Sequence, residues 1–330
     1  MTVRIGVLGA ANIVEMALLE PAAQVAGVEV AAVAARNPAR AAEYAAAHGI
    51  PRVVADYDAL VRDADLDAVY IPTPASLHGE WVLRAVAAGK HVLCEKPFTA
   101  NAQEAAEVAA AVQGRGVVVM EAFHSAYHPL WTDLTTLLAA HPIGTVETAY
   151  ASLCNPNHEP GDIRWQLDLA GGVLMDMGVY PLRLLTHLFG APTVLAARAE
   201  QTGGVDGAMT ATLQLAGGVV GTVETDMTED AVLGAELRIV GTAGTIHVAM
   251  PYHPQFGATI TVTDADGAGT TTPVDPTPTY RYQLEAFRDA VVSGGPVLTG
   301  TPEAVAAMRD VDAIYAAAGM SPRTPSAVRD

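Results

Sequence analysis

The chain is predicted to be an α/β protein in two parts, on three observations. From residue 3 to about 121, short Val- and Ile-rich runs alternate with alanine-rich helical stretches, the pattern of a parallel sheet covered on both faces. After residue 190, alternating or β-rich runs follow one another, separated by glycine-bearing turns. The length of 330 residues accommodates about two domains, and 51% hydrophobic with 16% charged residues describes a chain that buries a core.

In order, the strands expected in the first part are 3–8, 28–35, 67–71, 91–94 and 117–121, with a weaker one near 52–54, and helices fill the gaps. The second part offers strands at 194–201, 208–215, 219–226, 235–240, 245–249 and 258–263. A sheet of that size without helices on one face would need a partner.

The turn after the first strand, Gly9-Ala10-Ala11-Asn12-Ile13-Val14, occupies the place of a dinucleotide fingerprint but keeps only the first of its glycines. Ala11 is small enough for a pyrophosphate to approach the backbone, and the helix start offers free N–H groups. A tight turn without a ligand is the alternative. The second strand ends in Ala35-Arg36-Asn37 and not in the acidic residue that binds a ribose 2′-hydroxyl. A guanidinium suits a 2′-phosphate, which favours NADP(H) over NAD(H), with Arg40 as second support; Arg36 as a plain surface residue is the alternative.

Only two lysines occur, Lys90 and Lys96, while arginine carries nearly all other positive charge. A desolvated lysine can release its proton and an arginine cannot, so Lys96, in Glu95-Lys96-Pro97 after an apolar run, is a candidate acid–base group. Asp176 and Tyr180 are spaced to share a helix face, although Pro181 disturbs that helix.

The net charge of −18, with no basic cluster, argues against nucleic acid as a partner. Two cysteines, Cys94 and Cys154, are too few for a disulfide framework and fit a reducing compartment. The N-terminus reads as a strand and not as a signal peptide, and no stretch reaches membrane-spanning length, so a cytoplasmic location is expected. His124 and His128 have ligand spacing, but Pro129 follows and no carboxylate or cysteine completes a site, so no metal is expected.

Several further segments carry a resemblance. They are Ile71-Pro72-Thr73-Pro74-Ala75-Ser76-Leu77-His78, Ala88-Gly89-Lys90-His91-Val92-Leu93-Cys94-Glu95-Lys96-Pro97, Met120-Glu121-Ala122-Phe123-His124, Gly161-Asp162-Ile163-Arg164-Trp165 and Gly171-Gly172 through Asp176 to Tyr180. With Tyr280-Arg281-Tyr282-Gln283-Leu284-Glu285-Ala286-Phe287, the chain resembles the glucose-fructose oxidoreductase/inositol dehydrogenase family. Within it, the chain is most similar to the dimeric dihydrodiol dehydrogenase and NADP-dependent D-xylose dehydrogenase branch.

That resemblance implies a Rossmann domain over 1–122 and a second α/β domain over 123–330 with a large, mostly antiparallel open sheet, the last helix returning toward the first domain. It implies a homodimer or higher homo-oligomer, the open sheet often forming the dimer face. It places Lys96 beside the nicotinamide and the reacting hydroxyl, with Lys96-Pro97 a cis peptide. Tyr180 would work with Lys96, and Asp176 would anchor a neighbouring hydroxyl. Gly9 to Ile13, Arg36, Arg40, Pro72, Thr73, His78, Glu95 and Lys96 would hold the cofactor. Arg164 and Trp165 would line the substrate side, with the 252–256 loop as a further wall. His78 as a cap of the following helix is the alternative for that residue. Ala75, Ala126 and Asn12 depart from the asparagine and arginines frequent at those places. The activity implied is hydride transfer between NADP(H) and a cyclic polyhydroxy substrate, an aldopyranose such as D-xylose or a trans-dihydrodiol. A keto-sugar reductase or a non-catalytic dinucleotide sensor are the alternatives.

Overall fold

Five parallel strands, β1 (Val3–Leu8), β2 (Val28–Ala34), β3 (Ala68–Ile71), β4 (His91–Glu95) and β5 (Val119–Ala122), form one sheet in the order β2-β1-β3-β4-β5. The structure is a computed structural model and describes residues 1–157, 159 and 161–326. Strand β3 is buried along its whole length, which is why it reads as a continuous apolar run and not as an alternating one; β5 is equally buried and carries Glu121 within it. The weak candidate near 52–54 contributes only a single bridge, Val53 to Val33.

The second sheet has eight strands: β6 (Val146–Cys154), β7 (Thr193–Thr202), β8 (Val205–Gln214), β9 (Val220–Asp226), β10 (Gly234–Gly241), β11 (Gly244–Ala249), β12 (Thr259–Asp264) and β13 (Gly269–Pro273). Their order is β13-β12-β11-β10-β6-β9-β8-β7, antiparallel throughout except between β6 and β9. Two strands are additions to those expected. In β6 the inward positions are held by Ala149 and Ala151, too small to print an apolar alternation. β13 is an exposed edge strand ending in proline, the position that proline tolerates. The helix Val179–Phe189 packs on β6 and β9, while the other face presents Thr210, Glu224 and Arg238 to solvent, Tyr150 donating to Glu224 at 3.0 Å.

The chain divides into two compact units. The first takes Met1–His124, Tyr280–Met308 and the chain from Thr324; the second takes Ser125–Thr279 and Arg309–Arg323. The return to the first unit has local causes: the Tyr280 ring lies on His124 at 4.0 Å, and Thr299 both donates its hydroxyl to the Glu121 carbonyl (2.6 Å) and accepts the Glu121 N–H on its own carbonyl (2.9 Å). The closing helix Thr301–Ala317 is shared, its part up to Met308 in the first unit and the rest in the second.

Two helices are locally widened, and both widenings precede a proline. At Glu15–Leu19 the Glu20 N–H reaches the Glu15 carbonyl, and Pro21 follows. At Leu174–Gly178 the Val179 N–H reaches the Leu174 carbonyl, and Pro181 follows. A proline withdraws a donor and crowds the preceding turn, and a five-residue hydrogen-bond step accommodates both effects. Asp176 therefore stands on a widened turn and Tyr180 on the regular helix after it, which corrects the expectation of one uniform helix face.

Among the described residues, no helix is long and apolar enough to cross a membrane.

Candidate active site

In a sheet ordered β2-β1-β3-β4-β5, the connections after β1 and β3 leave in opposite directions and open a crevice at the carboxyl edge. The turns Gly9–Ile13, Pro72–Leu77, Lys96–Phe98 and His124 follow β1, β3, β4 and β5, so all lie on that edge. Gly9 has φ +131°, a conformation for which glycine is suited. Arg40 donates to the Ala10 carbonyl at 2.9 Å, tying the helix that Asn37 caps to the first turn. Asn12 is exposed, and Ala11 and Ile13 are half-buried.

Arg36 is exposed at the end of the second strand, and the Tyr57 hydroxyl stands beside the first turn, 3.4 Å from where a Cβ on Gly9 would lie. Burial pushes the Tyr57 phenol up, while the positive charges of Arg36 and Arg40 pull it down, so both guanidiniums act on one point beside the first turn. Two cations there suit a phosphate monoester on the ribose. The buried hydroxyls of Thr73 and Ser76 have no hydrogen-bond partner among the described residues. Left so they are costly, and a polar ligand laid along this edge would satisfy them. The residues present thus fit a dinucleotide.

The Lys96–Phe98 turn meets a buried side chain at four of its main-chain polar groups. The Lys96 N–H donates to Glu95 Oε2 at 3.2 Å, and the Phe98 N–H to Glu121 Oε1 at 3.0 Å. His78 Nδ1 lies 2.8 Å from the Pro97 carbonyl oxygen, and Cys94 Sγ 3.9 Å from that of Phe98. Glu95 also accepts the Tyr70 hydroxyl at 2.5 Å. The Lys96-Pro97 bond is cis. Burial pushes the Glu95 carboxyl up, opposed by the Tyr70 hydrogen bond and the Lys96 charge. Lys96 itself is half-buried. Lys90, by contrast, is buried and donates to the carbonyls of Asp63 (2.5 Å) and Leu66 (2.6 Å), a structural role.

His78 is the first residue of its helix and does not cap it. Its second ring nitrogen, Nε2, lies 2.7 Å from the Thr73 carbonyl, so the ring bridges two loops of the carboxyl edge. Burial pushes its pKa down to about 4, against the two carbonyls, so at pH 7 the ring is neutral and its one N–H donates to only one of the two carbonyls in either tautomer.

In the second unit, Arg164 Nε donates to Asp176 Oδ2 at 2.6 Å, and its Nη1 reaches both oxygens of Asp162 at 3.1 and 3.3 Å. The Asp176 charge is the main cause that raises the Arg164 pKa. Trp165 lies against β8, where a side chain at Gly207 would come within 3.2 Å of its ring. Tyr180 is buried, its ring 5.6 Å from that of Tyr252 and 6.2 Å from that of His253. The structure therefore joins Arg164 to Asp176, and Tyr180 to the 252–256 loop. His128 caps its own helix through Nδ1, which accepts the Leu130 N–H at 3.1 Å. Among the described residues, no group of three or more His, Cys, Asp or Glu is arranged to hold a metal ion.

Sequence reading missed Tyr57, Tyr70 and Glu121 as parts of the site. Glu121 carried a signal, a carboxylate inside an apolar strand, which needs a buried partner. Tyr57 and Tyr70 carried none.

This fold and edge define a dinucleotide-binding oxidoreductase. Residues 3–123 match the oxidoreductase family with an NAD-binding Rossmann fold, and residues 131–247 match the GFO/IDH/MocA C-terminal domain. The chain is 38% identical to D-xylose 1-dehydrogenase (NADP(+)) 2 of Haloferax volcanii over 95% of its length and 96% of that protein. It is 37% identical to dTDP-3,4-didehydro-2,6-dideoxy-alpha-D-glucose 3-reductase of Streptomyces violaceoruber over 77% of its length and 75% of that protein. The crystal structure of KijD10, a 3-ketoreductase of Actinomadura kijaniata in complex with NADP and TDP-benzene, superposes with a TM-score of 0.89 at 30% identity, covering 96% of this chain and 98% of that one. The chain belongs to the GFO/IDH/MocA oxidoreductase family.

Proposed function

We propose that this protein is an NADP(H)-dependent dehydrogenase of a free cyclic polyhydroxy compound, an aldopyranose such as D-xylose or a trans-diol. The observation that carries the reading is the Lys96–Phe98 turn, pinned on the carboxyl edge of a dinucleotide sheet by Glu95, Glu121 and His78. The bound nicotinamide supplies the hydride acceptor or donor. Lys96 takes or returns the proton of the reacting hydroxyl, Tyr180 assists it, and Asp176 orients a neighbouring hydroxyl. A fixed lysine direction serves such proton transfer, because acid–base groups act within hydrogen-bond reach. Arg36 and Arg40 read the 2′-phosphate; Gly9 to Ile13, Pro72 and Thr73 hold the rest of the dinucleotide. Arg164 and Trp165 belong to the substrate side. The protein acts in the cytoplasm as a homodimer, the open face of the eight-stranded sheet being the surface offered for pairing.

Charge favours a free sugar over the nucleotide-linked keto-sugar in the name of the Streptomyces relative. The loops that follow β6 and β9 lie on one sheet edge, since Cys154 pairs with Asp226 in parallel register. Those loops, 155–178 and 227–233, carry one arginine, Arg164, against Glu159, Asp162, Asp168, Asp176, Glu229 and Asp230. That arginine is paired with two of these carboxylates. A diphosphate meets net repulsion there.

The test is nicotinamide absorbance with NADP⁺ and NAD⁺ against D-xylose, D-glucose, myo-inositol and trans-cyclohexanediol, with dTDP-glucose as the charged control. Reduction of NADP⁺ by a free sugar or diol is expected. Dinucleotide binding without turnover on the whole panel would favour the sensor alternative.

A further inference from the structure

We propose that Asp206, Arg323 and Tyr315 form a buried positioning cluster that sets the Gly171–Gly172 turn and, through it, the side chain of Asp176. The inference rests on reading Asp176 as a substrate-side group, and all the geometry below lies within the second unit.

Asp206 is fully buried at the start of β8 and Arg323 is 2% exposed. The Asp206 carboxylate accepts from the Arg323 guanidinium, from the Tyr315 hydroxyl (3.0 Å) and from the Leu174 N–H (2.8 Å). Arg323 Nε donates to the Gly171 carbonyl at 2.7 Å, and its guanidinium lies over the Tyr315 ring at 4.3 Å. Gly172, at φ +132°, has these groups against its α-carbon: a Cβ there would lie 2.7 Å from Arg323 Nη2 and 2.9 Å from the Tyr315 hydroxyl. Asp206 thus satisfies an N–H at the start of the widened turn that carries Asp176, a task that helix starts otherwise assign to a local cap.

The cluster is continuous with the proposed site. The Gly172 N–H donates to the Arg164 carbonyl at 2.9 Å, and the Gly172 carbonyl accepts the Asp176 N–H at 3.1 Å. The Arg164 side chain then closes the loop on the Asp176 carboxylate at 2.6 Å. Any shift of Gly172 moves both ends of that ion pair. Stability alone is a weak reason for such a pair, since packed apolar residues commonly replace buried ion pairs at no loss. Fixed geometry is a stronger one, because a displacement of about 1 Å at a catalytic group can cost on the order of 10²-fold in rate.

The experiment uses Asp206→Asn, with Arg323→Lys and Tyr315→Phe as gentler companions, each in the full chain and first shown to be folded. Three readouts are taken: kcat and KM for the sugar, NADPH affinity, and amide exchange over 172–178. The expected result is a fall of about 10- to 100-fold in kcat/KM. NADPH affinity should be retained, and exchange at 172–178 should be faster. Asp206→Asn added to Asp176→Asn should cost little beyond Asp176→Asn alone, because both act through one group. Independent costs in that double variant, or unchanged kinetics in the folded single variants, would overturn the proposal. A wild type inactive on every substrate defeats the proposed function instead, and amide exchange then still decides this inference: unchanged protection at 172–178 in Asp206→Asn rules the cluster out as a positioning device.

Discussion

His78 and Pro97 are joined across the carboxyl edge of the first sheet: His78 Nδ1 lies 2.8 Å from the Pro97 carbonyl oxygen, while the same ring holds the Thr73 carbonyl at 2.7 Å. One buried imidazole thus links the loop that follows β3 to the turn that carries Lys96. Its neutral state follows from burial, which pushes the pKa down to about 4. His78→Leu removes the one N–H that the neutral ring offers to these two carbonyls. The expected outcome is a fall in kcat of about 10-fold with a folded protein, since a loosened Lys96 is misdirected and not removed. Steady-state kinetics beside circular dichroism checks it, and unchanged kcat would show that the Lys96 turn does not need the bridge.

Lys96→Met retains the length of the side chain and removes its proton chemistry. Turnover should fall by about 10²- to 10⁴-fold, with NADPH binding within a few-fold of wild type. Fluorescence titration with NADPH separates the two quantities, and turnover near the wild-type level would remove Lys96 from the mechanism.

Arg36 and Arg40 should respond differently to the two cofactors. Arg36 serves only the 2′-phosphate in our reading, so Arg36→Ala should weaken NADP⁺ by about 10- to 100-fold and leave NAD⁺ nearly unchanged, a charge-assisted hydrogen bond contributing about 1.5–3 kcal/mol. Arg40 also donates to the Ala10 carbonyl at 2.9 Å, so Arg40→Ala should weaken both. Parallel KM measurements for each cofactor decide it. An Arg36→Ala enzyme with unaltered preference would make Arg36 a surface residue.

Glu104 predicts a pH-dependent stability. Burial pushes its carboxyl up to about 7, while its Oε2 accepts the Ala100 N–H at 2.8 Å. The folded state therefore binds more protons than the unfolded state between the ordinary carboxyl range and pH 7, and stability falls as pH rises through that window. Glu104→Gln keeps the acceptor and cannot ionise. It should be more stable than wild type at pH 8 by about 1–3 kcal/mol, the gap closing toward pH 4.5. Urea denaturation at several pH values measures the gap, and a pH-independent difference would contradict the assignment.

Much of the first sheet was legible because its information is local. Buried parallel strands are mostly apolar, and β1 and β4 lie within a residue of their expected ends. β6 was illegible for the converse reason: its buried positions are alanines, and its place beside β9 is fixed by distant partners. Of the candidate site, Lys96 stood out through its rarity and its strand-end position. Glu121 was marked only as a carboxylate inside an apolar strand and Asp206 not at all, because a carboxylate's role depends on which donors reach it.

The α/β class, the parallel sheet, the family resemblance and the prominence of Lys96 were readable from short motifs and from composition. The convergence of Glu95, Glu121 and His78 on the Lys96–Phe98 turn, and the reach of Arg323 to Gly171 and Asp206 from 152 and 117 residues away, came only with the folded chain. The difference is one of range. Periodicity and propensity act between neighbours along the chain, whereas hydrogen-bond partners of buried polar groups are chosen by the packing that brings distant segments together.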